Sequence, residues 1–119
     1  MTTEKIADRL TELCRQGQFE TAQKELYSKD AVSIEPEASG GFEKETKGLD
    51  AIIKKGHKFE QMVGETHSVY VSTPLVANNS IAFTLSMDLT MKGKDRSTMS
   101  ELCVYQVKDG KIVQEEFYM

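Results

Sequence analysis

Residues 49–71 read LDAIIKKGHKFEQMVGETHSVYV, and this stretch contains the change of periodicity that decides the fold. From Leu49 to Val63 the apolar residues recur every three to four positions, as they do along one face of an α-helix. Beyond Gly64 the period falls to two, the repeat of a β-strand, and it stays at two as far as the C-terminus. The sequence therefore predicts a helix that opens at residues 48–50 and is followed by a run of strands.

Two amphipathic helices are predicted ahead of this stretch. The apolar face of the first helix is formed by Ile6, Leu10, Leu13 and Cys14. Thr3 belongs to a residue type that caps helix N-termini, and Gly17 stands where a left-handed residue would end the helix. A shorter helix with an apolar stripe over residues 19–26 follows, and residues 27–30 are predicted to close it.

The strands are predicted from their alternation and from the residues that interrupt it. Residues 31–35 form the first strand, which ends at Pro36 because proline has no N–H for a central ladder. Residues 37–47 include Ser39-Gly40-Gly41 and are predicted to form a hairpin tip or mobile loop, which can return as a short edge strand. The later strands are predicted at 66–73, 80–92, 96–108 and 111–118. Asp109-Gly110 is a two-residue hairpin signal, so the last three strands should form an antiparallel meander.

The composition limits the class of protein. A chain of 119 residues with 39% hydrophobic and 29% charged residues is typical of a single globular domain, spanning residues 1–119. The net charge of −4 and the absence of clustered lysine and arginine argue against nucleic acid as a partner. We also expect no membrane span, no secretion signal, no metal site and no nucleotide cofactor, because the corresponding motifs are missing. Cys14 and Cys103 are isolated among apolar neighbours, which favours reduced thiols and a cytoplasmic protein.

Helices followed by a long meander predict an α+β protein in which the helices cover one sheet face. Four segments in this order match a known family: GQFE at 17–20, LYSKDAV at 26–32 leading to Glu35-Pro36, KGLDAI at 47–52 and VKDGKIV at 107–113. The chain thereby resembles the nuclear-transport-factor-2-like superfamily, and within it the SnoaL-like polyketide cyclases and ketosteroid-isomerase-like proteins. The resemblance implies a cone of the cystatin-like type. Three helices pack in a strongly curved, mostly antiparallel sheet, with a cavity for a small molecule at the open end.

The resemblance also implies a candidate catalytic residue. Glu35 matches the position of the general base in ketosteroid-isomerase-like proteins, where a carboxylate moves a proton beside a substrate carbonyl. The alternative is an ordinary solvated glutamate at the end of a strand. The family's hydrogen-bond donors for the enolate oxygen, a tyrosine and an aspartic acid, are replaced by Leu10 and by Cys103 or Leu102. The sequence therefore does not predict steroid isomerisation by the standard machinery.

Further candidates come from the strands that face the interior of the cone by analogy with the family. Glu101 and Tyr105 in one strand, and Glu115 and Phe117 in the next, would be on the inner wall. Carboxyl groups that share a low-dielectric cavity cannot all ionise, so one of them should be protonated near neutral pH and able to donate. The alternative is a register slip or bulge that places these glutamates in water.

One histidine and several methionines complete the candidate site. His57 lies beside the apolar stripe of the third helix and could act as an acid or base if it reaches the cavity; the alternative is a surface histidine. Met62, Met87 and Met99 are candidates for binding a flexible apolar ligand, since thioethers adapt their shape; the alternative is that they fill an irregular core.

These residues lead to two hypotheses about function. The first is cofactor-free proton transfer, of the isomerase or cyclase kind, on an apolar carbonyl compound with Glu35 as the base. The alternative is a module that binds an apolar ligand without turnover, or one that only dimerises. We expect a homodimer through the outer sheet face, where Leu102, Val104 and the Ile112 side of the last strand are predicted to be apolar.

Overall fold

The computed structural model describes residues 1–38 and 41–119, which contain three helices and seven strands. The helices are α1 (Thr3–Arg15), α2 (Phe19–Leu26) and α3 (Leu49–Met62). The strands are β1 (Tyr27–Ile34), β2 (Glu45–Lys47), β3 (Val63–Val71), β4 (Leu75–Ala77), β5 (Ser80–Met91), β6 (Arg96–Lys108) and β7 (Lys111–Tyr118). The predicted α+β class is confirmed.

The seven strands form one open, curved sheet. Its order is β2-β1-β7-β6-β5-β3, and β4 pairs separately with β5. The first long strand, β1, pairs in parallel with the last strand, β7, while the other pairs are antiparallel. This pairing brings the N-terminal half of the chain, with Glu35, beside the C-terminal strand, with Glu115.

The core lies between the helices and the inner face of the sheet. The stripe predicted for α1 is buried, and Ile6, Leu10 and Leu13 meet the buried side chains of the sheet. Burying one such side chain stabilises the fold by roughly 1.5–3 kcal/mol. Phe83 and Tyr105 stack within this core, with ring centroids 5.4 Å apart. Within the described ranges, no helix has the length and apolar character needed to cross a membrane.

The sequence predicts a cap for α1, a left-handed glycine after it and a two-residue hairpin near the C-terminus, and the structure shows how each is formed. The cap of α1 is Thr2 rather than Thr3, since the Thr2 hydroxyl accepts a hydrogen bond of 3.2 Å from the Lys5 N–H. Gly17 adopts a φ of 72°, as its predicted left-handed conformation requires. Asp109 and Gly110 have φ values of 53° and 75°, which matches the predicted two-residue hairpin between β6 and β7.

Two strands begin earlier than the sequence predicts. Tyr27, which was predicted to close α2, is the first residue of β1 and pairs with Ile112 of β7. Strand β3 begins at Val63, directly after α3. The predicted return of residues 37–47 as an edge strand is confirmed by β2, although Ser39 and Gly40 of the predicted loop tip lie outside the described residues.

A β-bulge alters the register of the last hairpin. Gln106 pairs with Gln114, but Val107 pairs with Ile112, so Val113 is an extra residue in β7. Because of the extra residue, Ile112 points to the inner face of the sheet and not to the outer face. Its side chain is fully buried in the core. The prediction that Ile112 contributes to an apolar outer face is therefore wrong.

Candidate functional site

Glu115 is the most deeply buried acidic group of the described chain, with 4% of its surface exposed. It lies on the inner face of β7 and accepts a short hydrogen bond from the Tyr27 hydroxyl. Its register partner on β1 is Ser33, whose hydroxyl also favours the charged carboxylate. Burial outweighs both hydrogen bonds and raises the pKa of Glu115 above its ordinary value. The carboxyl group therefore keeps its proton to higher pH than a solvated glutamate does.

Lys55 connects this buried carboxyl group to Glu35. The side chain reaches inward from α3, and its Nζ lies 2.5 Å from Ser33 Oγ and 2.9 Å from Glu35 Oε1. The same ammonium group lies 5.7 Å from the centroid of the Phe117 ring. The Lys55 side chain is 15% exposed and that of Glu35 is 25% exposed. Glu35, the predicted base, is thus ion-paired and open to solvent on one side.

Glu101 is a third carboxyl group in the same region. It lies on the inner face of β6, where its register partner is Leu85 of β5. Burial, together with the carboxylates of Glu35 and Glu115, raises the pKa of Glu101 to about 7. Glu101 therefore exchanges between its protonated and charged forms near neutral pH. We call Glu35, Lys55, Glu101 and Glu115 the acidic cluster.

Five further residues are predicted to bind the ligand, and the structure places them as follows. Tyr105 is buried, and burial raises the pKa of its hydroxyl well above the ordinary value. Phe117 is half-buried and packs against the core. Met87 and Met99 are register partners on β5 and β6 and are both half-buried. Met62 differs from these residues, because it is exposed at the end of α3.

His57 does not join the acidic cluster. Residues two positions apart on a helix point about 200° away from each other, so Lys55 and His57 face opposite sides of α3. The imidazole is exposed and its Nε2 forms a short hydrogen bond with Glu20 of α2. The expectation that His57 borders the same cavity as Glu35 is corrected by this placement, which matches the surface alternative.

Two clefts open at the edge of the sheet. One, of about 210 Å³, lies between residues 41–46 and α3, and Lys55 belongs to its lining. The other, of about 470 Å³, is lined in part by Ile34 and Glu116. Neither lining includes Tyr105 or Glu101, so the predicted cavity around those residues stays a prediction. Over residues 1–38 and 41–119, no group of three or more potential ligand side chains is placed to hold a metal ion.

Three members of this site were not predicted from the sequence. Ser33 lies two residues before Glu35, so strand alternation could have placed both on one face. Lys55 lies three residues after the buried Ile52, which is the spacing of one helix face, but it stands among other polar residues of α3. Tyr27 gave no usable signal, because its position depends on the parallel pairing of β1 with β7.

A curved sheet packed on three helices, with ionisable groups on its inner face, defines an α+β fold of the cystatin-like type. The sequence model of the SnoaL-like domain matches residues 1–119. The chain therefore belongs to the SnoaL-like domain family, as its resemblance predicted.

Solved structures agree with this assignment. A Mesorhizobium loti protein, whose description names both a SnoaL-like polyketide cyclase and a carbohydrate phosphatase, is 34% identical, with a TM-score of 0.88 and complete coverage of both chains. A Xanthomonas campestris protein of unknown function with a cystatin-like fold is 18% identical, with a TM-score of 0.82 over 99% of this chain and 90% of that one. TerC, co-crystallised with polyporic acid, is 13% identical, with a TM-score of 0.80 over 98% of this chain and 90% of TerC. The last two likenesses show the fold alone. No curated protein matches the chain.

Proposed function

We propose that the protein carries out cofactor-free proton transfer, of the isomerase or cyclase kind, on an apolar carbonyl compound. The observation that carries this proposal is that two carboxyl groups in different surroundings, Glu35 and Glu101, lie close enough for the charge of Glu35 to raise the pKa of Glu101. Glu35 is ion-paired and partly exposed, whereas Glu101 is buried enough to have a pKa of about 7. A pair of carboxyl groups whose environments differ in this way is suited to acid and base roles in one reaction.

The exposure of each carboxyl group determines its proposed role. Glu35 removes a proton from the carbon beside the substrate carbonyl, because it is open to solvent and bound to no other donor than Lys55 among the described contacts. Glu101 in its protonated form donates a hydrogen bond to the oxygen on which negative charge develops. Glu115 is too deeply buried to reach a substrate, and its role is to support the groups in front of it.

The apolar side chains of the predicted site determine the class of ligand. Phe117, Met87 and Met99 are half-buried and offer aromatic and thioether surface, which favours an apolar substrate. One half of the description of the relative that is 34% identical to this chain, polyketide cyclase, supports the same class, while the other half names a carbohydrate phosphatase. TerC, which shares the fold, was co-crystallised with an organic compound, polyporic acid.

The proposal can be tested with 2-tetralone, an apolar ketone with exchangeable protons beside its carbonyl. Proton NMR in deuterium oxide follows the loss of these protons, and the wild-type protein should accelerate this loss over buffer. Glu35→Gln keeps the shape of the side chain but removes the base, so exchange should fall by about 100-fold or more. Glu37→Gln, which removes an exposed carboxylate two residues away, is the matched control and should exchange as the wild type does.

Two outcomes would contradict the enzymatic proposal. One is exchange that is equally fast in Glu35→Gln and wild type. The other is binding of 2-tetralone, seen as shifts of backbone amide signals, with no acceleration of exchange. The second outcome would favour the alternative function, a module that binds an apolar ligand without turnover.

We also propose that the protein is a homodimer through the outer face of its sheet. Leu102 on β6 and Tyr118 on β7 are register partners, and they are 41% and 48% exposed. Val104 extends this apolar strip along β6 and is half-buried. A second copy of the chain would remove these side chains from water, which is how exposed apolar patches are usually covered.

A further inference from the structure

Lys55 provides a positive charge inside the proposed site. The roles proposed for Glu35 as base and Glu101 as hydrogen-bond donor do not explain why a lysine lies there. Its ammonium group contacts Glu35 and Ser33, faces the Phe117 ring and is largely shielded from water. A positive charge in such surroundings interacts more strongly with a nearby anion than a solvated lysine does. Any negative charge that forms on a substrate beside Glu35 would form within the reach of this ammonium group.

The movement of charge during proton transfer gives Lys55 a role. Before the reaction the ammonium group is paired with the Glu35 carboxylate at 2.9 Å. When the proton moves from carbon to Glu35, the C–H electron pair becomes the C=C bond and the carbonyl π pair moves onto oxygen. Glu35 is then neutral and the substrate is an enolate. The same ammonium group can therefore exchange one anionic partner for the other, while its own proton count stays constant.

We propose that Lys55 is a catalytic residue that binds the carbonyl oxygen of the substrate and stabilises the enolate. This proposal rests on the proposed function of Glu35. A ketone presents its α-carbon and its oxygen within three consecutive atoms, so both can meet the adjacent Glu35 and Lys55 groups at once. Among apolar carbonyl compounds, this proposal selects enolisable ketones and related enols as substrates, because they form an enolate whose single oxygen can pair with Lys55.

The site has no other strong donor in the places where the resemblance predicts one. Leu10 is an apolar core residue. Cys103 is a buried thiol, and burial raises its pKa far above the ordinary value. The Cys103 thiol donates a long hydrogen bond of 3.9 Å to Glu101 Oε1, and Leu10 has no donor. Lys55, with the protonated form of Glu101 as a second donor, therefore supplies the hydrogen bonds to the substrate oxygen.

Ser33 is a positioning residue for Lys55. Its hydroxyl is completely buried and accepts a hydrogen bond of 2.5 Å from the ammonium group. Ser33 is fixed by the pairing of β1 with β7, in which its register partner is Glu115. Glu115 in turn accepts a hydrogen bond from the Tyr27 hydroxyl. When the Glu35 carboxylate becomes neutral, the ammonium group of Lys55 keeps its hydrogen bond to Ser33, which does not depend on the charge of Glu35. Lys55 therefore keeps its position during the reaction.

The first experiment compares the exchange of 2-tetralone protons in three variants. Lys55→Met should lower the exchange rate at saturating ketone by about 100-fold, the usual effect of removing one donor to an oxyanion. Lys54→Met removes the same charge from the exposed neighbouring position and should leave the rate unchanged. Lys55→Arg keeps the charge and should retain measurable activity. An unchanged rate in Lys55→Met would overturn the proposal.

A second experiment does not depend on turnover. 2-Naphthol resembles the enol of 2-tetralone, and its absorption spectrum shows whether it is bound as the neutral or the ionised species. The wild-type protein, Lys54→Met and Lys55→Arg should bind a larger ionised fraction than Lys55→Met at the same pH. All four should bind neutral 2-methylnaphthalene with similar affinity, which also shows that each variant is folded.

The two experiments separate the failure of this inference from the failure of the proposed function. If ionised naphthol depends on Lys55 but no protein exchanges 2-tetralone, the anion-binding role of Lys55 holds and the catalytic proposal fails. If the ionised fraction is the same with and without Lys55, the inference fails. A stable adduct on Lys55 after borohydride treatment with the ketone would also overturn it, because the lysine would then act as a covalent nucleophile.

Discussion

Replacing Glu101 with glutamine should make the protein more stable, and the gain should depend on pH. Glutamine has the shape of the protonated carboxyl group but carries no charge at any pH. In the folded protein, burial and the carboxylates of Glu35 and Glu115 raise the pKa of Glu101 from 4.5 to about 7. The folded state therefore holds a proton that the unfolded chain releases between these two values.

The sign and the size of the effect follow from this difference. Below about pH 4.5 Glu101 is protonated in both the folded and the unfolded chain, so it does not change the free energy of unfolding. Because its pKa is raised in the folded state, the free energy of unfolding falls as the pH rises from there to about 7. One pKa unit corresponds to about 1.4 kcal/mol, so the full loss in the wild type is on the order of 3 kcal/mol. Glu101→Gln should escape this loss above about pH 7 and show no gain below about pH 4.5.

Urea unfolding at a series of pH values measures this effect directly. The difference in unfolding free energy between Glu101→Gln and wild type should grow with pH and then level off. Glu43→Gln, which removes an exposed carboxylate, is the control and should show no such growth. A difference that is the same at low and high pH would refute the placement of Glu101 in a shielded, acidic environment.

Three further outcomes are expected. Tyr27→Phe should lower the free energy of unfolding by about 1–3 kcal/mol, because it removes the hydroxyl that binds buried Glu115; thermal or urea unfolding measures it, and an unchanged stability would contradict the contact. Thr2→Ala should cost about 1 kcal/mol through loss of the α1 cap, measured in the same way and refuted by no loss. Light scattering should give the mass of a dimer for the wild type and of a monomer for Leu102→Asp, and a monomeric wild type would exclude the proposed interface.

Most of the fold follows from local periodicity. Strand β6 has the predicted limits, 96–108, and β7 the predicted limits, 111–118, because their alternation is bounded by the Asp109-Gly110 turn. The burial of the α1 stripe follows in the same way from residues spaced by one helical turn. Such features depend on neighbours within a few positions, so the sequence contains all the information they need.

The features that were wrong depend on contacts between distant segments. Tyr27 belongs to β1 because β7 pairs with it, and no local pattern marks that pairing. The bulge at Val113 arises in the pairing of β6 with β7 and turns Ile112 into the core. A pattern of strict alternation cannot show where one extra residue is accommodated.

The candidate site was predicted in part for the same reason. Strand alternation grouped Glu101 and Glu115 with their neighbours, the resemblance to the family implied that these groups face inward, and both residues lie on the inner face. Lys55 was missed and His57 was named in its place, because both stand in one polar segment of α3 and the packing of α3 against β1 determines which of them faces the sheet. The ion pair that defines the site joins residues 20 positions apart and is a property of the tertiary structure.

The pH dependence of 2-tetralone exchange tests the central claim, that Glu35 and Glu101 act together as base and acid, most directly. If protonated Glu101 donates to the enolate oxygen, exchange at saturating ketone should fall above about pH 7, as Glu101 loses its proton. Glu101→Gln, which keeps an N–H donor, should remove this decline. A rate that rises continuously from neutral to alkaline pH in the wild-type protein, with the same profile in Glu101→Gln, would contradict the account.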